Sequence, residues 1–239
     1  MLTISRRSAE PEILDDFQLK GHDLAHNLQE LEKVNRYLGG HNSLRKAISE
    51  VVENDPRHTI RLLDAGCGGG DALRMLALWL RKRKKDFQLT GFDANANAIE
   101  YAIRHSTGYP NLRFRLLDIK SESFRRLPAD VVTFNLFLHH FSEPEIVSLL
   151  VTCRHKKCAI VINDLERSWL AYHLFRIVSR LMGFSYISRY DGKLSVKKSF
   201  SRKDWQRIFA KAGIENYQIR RRWAFRWLCI IPKPPELAD

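Results

Sequence analysis

Little in this 239-residue chain is arranged for cross-linking: its four cysteines fall at irregular spacing, with no Cys-x-x-Cys pair. That argues against both a disulfide framework and a structural zinc site. A long hydrophobic run is also missing. The most apolar segment, 169–182, is interrupted by His173, Arg176 and Arg180 and is too short to span a bilayer. Acidic residues, not an apolar core, follow Ser5-Arg6-Arg7, so no secretory leader is expected. No Pro-, Gly- or Ser-rich linker, internal repeat or low-complexity stretch divides the chain, so one domain with elaborations is expected rather than two. These absences predict a reduced, cytoplasmic, globular protein. The 44% of hydrophobic residues is enough for a full core.

Charge is plentiful and uneven. The formal net charge is +13, and residues 161–239 carry 16 Lys+Arg against 7 Asp+Glu, whereas residues 1–60 carry 8 against 10. Such a balance suits nucleic acid, an anionic membrane surface or an acidic ligand, and does not choose among them.

Residues 10–53 read as helical. Leu24, Leu28, Leu31, Val34 and Leu38 recur at spacings of three and four, which makes one apolar stripe, and Gly39-Gly40 stops that helix. From residue 60 the pattern changes to short apolar runs at 60–65, 87–92, 112–117, 131–134 and 158–162, with helical segments near 71–83, 95–106 and 143–152. This alternation predicts an α/β fold with parallel strands and right-handed crossovers. The ending differs: a helix over 201–212, capped by Ser201 and stopped by Gly213, precedes strands at 214–221 and 223–231 close enough to form a hairpin. Segment 166–200 is additional. Its residues 169–182 are apolar around most of a helix circumference, which predicts burial on several sides. Core packing, a lid over an apolar pocket, a dimer interface and a membrane-surface contact all remain open for it.

The chemistry-bearing signal begins at Asp64-Ala65-Gly66-Cys67-Gly68-Gly69-Gly70-Asp71, after the first strand and at the start of a helix. Glycines there let the chain turn tightly and let a ligand approach bare backbone beside helix-start N–H groups. The spacing is GxGxG; a dinucleotide fingerprint would put its third glycine where this chain has Asp71, an acid badly placed for a pyrophosphate. Asp93 closes the second strand, where a carboxylate can accept from both hydroxyls of a ribose. Asp118 closes the third, placed to accept from an adenine amino group, and Asn135 closes the fourth. All fall at the carboxyl edge of the strands, where open α/β sheets bind ligands.

Residues 58–165 with these motifs resemble a class I S-adenosylmethionine-dependent methyltransferase. The string Asn135-Leu136-Phe137-Leu138-His139-His140-Phe141 is similar to the small-molecule branch, including ubiquinone/menaquinone-type enzymes, and 163–227 resembles methyltransferases found beside bacterial polyketide synthases. The resemblance implies a Rossmann-like seven-stranded sheet of order 3-2-1-4-5-7-6 with the last strand antiparallel. It implies an N-terminal helical cap over 1–56, a cofactor-binding domain over 57–239, and a helical insert at 166–200. S-adenosylmethionine is the implied cofactor. Its methionine moiety would meet Asp64, Gly66, Cys67, Gly68 and Gly70, its ribose Asp93 and Ala94, its adenine Asp118 and Ile119, with Asn135 completing the cofactor site.

Methyl transfer from a sulfonium is an in-line displacement, so the protein must align the acceptor and, for a hydroxyl, help remove a proton. His139 and His140 lie just beyond Asn135, and a histidine suits that proton transfer near neutrality; the plainer alternative is one packed and one solvated histidine at a helix start. Asp164 and Asn163, ending the fifth strand, are placed to orient an acceptor, and Tyr172 and Phe175 of the insert to line an apolar pocket. The expected reaction is O-methylation of a small aromatic or apolar acceptor, with no metal; RNA or protein methylation and an idle cofactor-binding scaffold are the alternatives. The Asn/Asp-Pro-Pro-aromatic turn of base amino-methylation is absent, since Leu136-Phe137 follows Asn135. No cysteine is placed as a nucleophile for pyrimidine chemistry. Arg81-Lys82-Arg83-Lys84-Lys85 ends a helix away from the carboxyl edge, where cations suit the dipole. Arg220-Arg221-Arg222 and Arg226, interleaved with Trp223, Phe225 and Trp227, are placed to bind an anionic surface or partner, or to stack on the aromatics.

Overall fold

The computed structural model describes residues 4–17, 19–53, 59–82 and 86–234. Two helices, α1 (Gly21–Tyr37) and α2 (Gly40–Val52), precede the sheet. Gly39 sits between them at φ +75°, a left-handed conformation that ends one helix and starts the next. The strands are β1 (Thr59–Ala65), β2 (Asp86–Asp93), β3 (Leu112–Leu116), β4 (Val131–Asn135), β5 (Ala159–Leu165), β6 (Gln218–Arg222) and β7 (Arg226–Ile231). They form one sheet in the order β3-β2-β1-β4-β5-β7-β6. The first five run parallel, and β7 is antiparallel to both β5 and β6. This is the implied architecture.

Helices α3 (Asp71–Leu80) and α4 (Ala96–Arg104) cover one face of the sheet together with α2; α5 (Glu122–Arg126), α6 (Glu143–His155) and α9 (Arg202–Lys211) cover the other. On the first face Leu44, Ile48, Leu73 and Leu76 pack on Ile60, Leu62 and Val161. On the second, Phe124, Leu150, Trp205 and Phe209 pack on Val132, Phe134 and Ile160. Covering both faces explains why β4 and β5 read as unbroken apolar runs. The caps are where the side chains predict them: Ser201 accepts from Asp204 N at the start of α9, and Asp204 returns the bond to Ser201 N at 2.8 Å, a reciprocal capping box.

Segment 166–200 departs from expectation. It forms two helices, α7 (Trp169–Leu181) and α8 (Tyr186–Lys198), and α7 packs mainly on α8. Phe175 seals that contact, since a Cβ on Gly192 would lie 2.2 Å from its ring. Only one side of α7 is therefore covered. Leu170, Leu174, Ile177 and Leu181 stand exposed on the other, so the expected burial on several sides is corrected.

The C-terminal basic run follows the stacking alternative at Arg221, whose guanidinium lies 5.7 Å from the Phe225 ring centroid, and departs from an open anion-binding face at Arg220 and Arg226. Arg226 and Trp227 are buried in β7, Arg220 pairs with Glu50, and Arg221 with Glu166, each at 2.7 Å. Residues 83–85 of the other basic run lie outside the described residues. All four cysteines are free and buried. No helix among the described residues is long and apolar enough to cross a membrane.

Candidate active site

The glycine loop leaves β1 at Asp64. Gly66 and Cys67 donate their backbone N–H groups to Phe92 O at 2.8 and 2.9 Å, and Gly68 donates to Asp93 Oδ2 at 2.9 Å. Gly66 is at φ +72°, and a Cβ there would lie 2.0 Å from the ring of Phe137; only glycine lets the β4 loop close over this turn. Cys67 fills the space above Gly91, and burial pushes its thiol well up, so it is a packing residue. Asp71 opens α3 and accepts from His41 Nε2 at 2.7 Å and Asn35 Nδ2 at 3.0 Å. The two N-terminal helices are thereby tied to the loop.

The electrostatics of this loop are unbalanced. Asp64 is buried, accepts from the Thr133 hydroxyl at 2.7 Å, and has no cationic partner among the described residues. Burial pushes its pKa up to about 7, with the Asp71 and Asp93 carboxylates adding to the rise. Asp93 is also raised by burial, against the N–H groups of Asn95 and Gly68 that its two oxygens accept. A buried acidic set of this kind calls for a cation. The ammonium and sulfonium of S-adenosylmethionine fit it.

Next to the loop, Leu117 N donates to Asp93 O at 3.0 Å, which sets Asp118 and Ile119 beside the end of β2. Asp118 is exposed and accepts from Lys120 N at 2.8 Å, whereas Ile119 is buried. Ala94 is exposed at the β2 end. Asn135 accepts from Asn163 Nδ2 at 2.6 Å, and the following Leu136 sits at φ +51°, a conformation costly for a branched side chain. The sheet thus brings Asp64, the glycines, Asp93, Ala94, Asp118, Ile119 and Asn135 to one edge.

The strained turn leads into a short 3₁₀ turn, Leu138–His140. His139, 3% exposed, is held by Asp164: ring Nδ1 lies 2.7 Å from Oδ1, and the backbone N–H donates to Oδ2 at 3.2 Å. Burial works against the Asp164 charge, but His139 and the Leu165 N–H hold its pKa below the ordinary value. The ionised carboxylate accepts, so Nδ1 is the donor in this pair.

His140 has a looser counterpart: its Nδ1 lies 2.7 Å from Asp15 Oδ1 as an ion-pair contact without the alignment of a hydrogen bond, and its side chain is 23% exposed. Both Nε2 atoms face Glu12, at 3.8 Å for His139 and 4.0 Å for His140. Burial disfavours the Asp15 charge, yet His140 and the Glu12 N–H hold this carboxyl well below its ordinary range; burial raises Glu12.

Sequence reasoning missed this N-terminal strap. Arg7 donates to His139 O at 3.1 Å and to Phe141 O at 2.9 Å, and Ile13 and Leu14 donate to the Asp191 carboxylate of α8 at 2.8 and 3.0 Å. Lys198 Nζ lies 3.5 Å from Glu12 and 3.2 Å from Asp15. Ligand atoms of Glu12, His139 and His140 lie within 4.8 Å of one another. The Lys198 ammonium stands beside this cluster. Glu12 and Asp15 are more than 120 residues from the histidines, and no local pattern marks them. Asp191 and Lys198, seven apart on one helix face, were the one available signal.

Tyr172 and Phe175 belong to the contact between α7 and α8: Phe175 lies over Gly192, and Tyr172 has the Lys197 ammonium 5.4 Å from its ring centroid. A groove of about 530 Å³ lies on the sheet face between Arg61, Phe92, Arg115 and Leu127, beside short α5.

Comparison with known proteins agrees with this geometry. Residues 57–213 match the family model of a methyltransferase domain. The chain is 24% identical over 181 residues to cephaeline 6′-O-methyltransferase of Carapichea ipecacuanha, covering 72% of this chain and 47% of that protein; it spans about half the length of that relative. Among solved structures, the plantazolicin methyltransferase BpumL in complex with a monoazolic desmethylPZN analog and SAH superposes with a TM-score of 0.59 at 17% identity, covering 83% of this chain and 74% of that one. The CMeT domain of the citrinin polyketide synthase gives 0.59 at 12% identity, covering 78% and 51%. At these identities the structural likeness is one of fold.

Proposed function

The chain belongs to the methyltransferase-domain family, whose cofactor is S-adenosylmethionine, and we propose that it methylates a hydroxyl group of a small aromatic or apolar acceptor. One observation carries the reading: two histidines at the carboxyl edge, each with Nδ1 beside a carboxylate, converge through Nε2 on one point. That arrangement has a use in hydroxyl chemistry, where a proton must leave the acceptor.

Asp64 and the glycine loop would hold the methionine moiety, Asp93 and Ala94 the ribose, and Asp118 with Ile119 the adenine. When bound, the cofactor supplies a methyl group made electrophilic by its sulfonium. The chain's own residues align the acceptor and take its proton. His140 is the more exposed of the pair and stands 6.2 Å, centroid to centroid, from Phe137, the ring that covers Gly66. We assign it the proton: the acceptor O–H passes its hydrogen to Nε2, and the ionised Asp15 stabilises the imidazolium formed. His139, buried and bound twice by Asp164, is a positioning residue that fixes the 3₁₀ turn. Glu12 stands where the acceptor hydroxyl would meet both Nε2 atoms, so acceptor entry requires this part of the strap to shift.

The test is turnover of His140→Gln and His139→Gln on a phenol series. His140→Gln should lower turnover by about 10²–10⁴-fold, the scale of a lost general base, with cofactor affinity unchanged and with the smallest loss for phenols already ionised at neutral pH. Equal, normal rates for both variants would remove the base assignment.

A further inference from the structure

We propose that α7 and the cleft beside it dock the protein on an anionic lipid bilayer. The helix carries Leu170, Leu174, Ile177 and Leu181 at spacings of four, three and four, which place all four on one face. That face is open to solvent: the residues are 50%, 41%, 51% and 82% exposed. A continuous apolar stripe on a helix about 20 Å long is more than scattered surface hydrophobicity and marks an interaction surface.

The occupant follows from charge. Along the neighbouring flank runs a cleft of about 220 Å³ lined by Arg176, Arg180, Arg189 and Lys193, with Tyr186 and Tyr190. None of these four cations has a carboxylate partner among the described residues; Arg189 donates only to Ser185 O. Several basic residues elsewhere do pair with acids, as Arg220, Arg221 and Arg207 do. A second copy of this chain would bring two such cationic clefts together across the stripe and repel. An anionic leaflet offers apolar acyl chains to the stripe and phosphate groups to the cleft at the same time. The helix is too short and too charged to span, so it would lie in the plane of the interface, with its buried side still held by α8.

The experiment is vesicle flotation of the full chain, which reads binding without any methyl acceptor and so stands apart from the proposed reaction. Vesicles of phosphatidylcholine with 30% phosphatidylglycerol should bind the protein at least tenfold better than phosphatidylcholine alone. The binding should weaken several-fold as salt rises from about 50 to 300 mM, through screening. Ile177→Ser with Leu181→Ser, and separately Arg176→Gln with Arg180→Gln, should each cut binding about tenfold or more, at the scale of about fivefold per basic residue near the surface. All four positions are exposed, so folding is not at stake; circular dichroism and thermal unfolding confirm it. Equal binding to neutral vesicles, no binding to either kind, or a dimer in sedimentation that Ile177→Ser dissociates would each overturn the proposal.

Discussion

Asp164 accepts from both ends of His139, the ring Nδ1 at 2.7 Å and the backbone N–H at 3.2 Å. One carboxylate at the end of β5 therefore fixes the imidazole tautomer and the turn that follows β4. Removing its charge should loosen both. Asp164→Asn is expected to lower stability by roughly 2–4 kcal/mol, because a buried charge-assisted pair is broken on one side. Folded enzyme should also lose turnover with little change in cofactor affinity. Denaturant unfolding and calorimetry separate the two effects, and an unchanged midpoint would contradict the buried pairing.

Asp93 has two tasks. Its oxygens already accept from Gly68 N and Asn95 N, so the residue holds the glycine loop besides offering its remaining lone pairs to a ribose. Asp93→Ala should weaken cofactor binding by roughly 1–3 kcal/mol and also lower the melting temperature without cofactor. A variant with normal affinity and normal stability would remove Asp93 from both roles.

Asp64 links the cofactor to pH. Its folded pKa of about 7 exceeds the ordinary 3.8, so its contribution favours the fold while it is protonated. That contribution is complete below about pH 4 and is lost as the pH rises to about 7. Asp64→Asn should flatten this part of the stability profile. A cationic ligand beside Asp64 would pull the pKa back down, so S-adenosylmethionine binding near pH 6.5 should release protons. Calorimetry in buffers of different ionisation enthalpy reads the release directly; no release, or proton uptake, would count against an ammonium at Asp64.

Gly192 is the joint of the two insert helices, since a Cβ there would lie 2.2 Å from Phe175. Gly192→Ala should cost about 1–3 kcal/mol through overpacking, with the loss removed by pairing it with Phe175→Leu. Failure of that rescue would show that Phe175 is not what limits the space.

The parallel part of the sheet was legible because short strands there end in or lead to a residue type with a duty at the carboxyl edge, as in Asp64, Asp93, Asp118 and Asn135. The histidine pair was visible for the same reason; the alternative of one packed and one solvated histidine holds for the packed His139 but not for His140, which is only 23% exposed. What surrounds them was not visible. Glu12 and Asp15 reach the histidines, Asp191 and Lys198 only through tertiary contacts, and the strap has no periodicity to mark that meeting in sequence. The insert misled in a physical way: an apolar circumference was read as burial, yet α7 rests on a single partner and leaves Leu170, Leu174, Ile177 and Leu181 in solvent. The Arg-rich C-terminus was legible in part: Arg221 lies over Phe225, but strand pairing buries Arg226 and sets Arg220 and Arg221 against Glu50 and Glu166.

The most direct measurement uses S-adenosylmethionine labelled in its methyl group, incubated with the full chain and a panel of phenols, hydroquinones, tRNA and unstructured peptide. The account predicts label in organic-extractable phenol or hydroquinone ethers, formed with one equivalent of S-adenosylhomocysteine and suppressed by His140→Gln. Label confined to tRNA or peptide, or bound cofactor with no transfer to any acceptor, would contradict it.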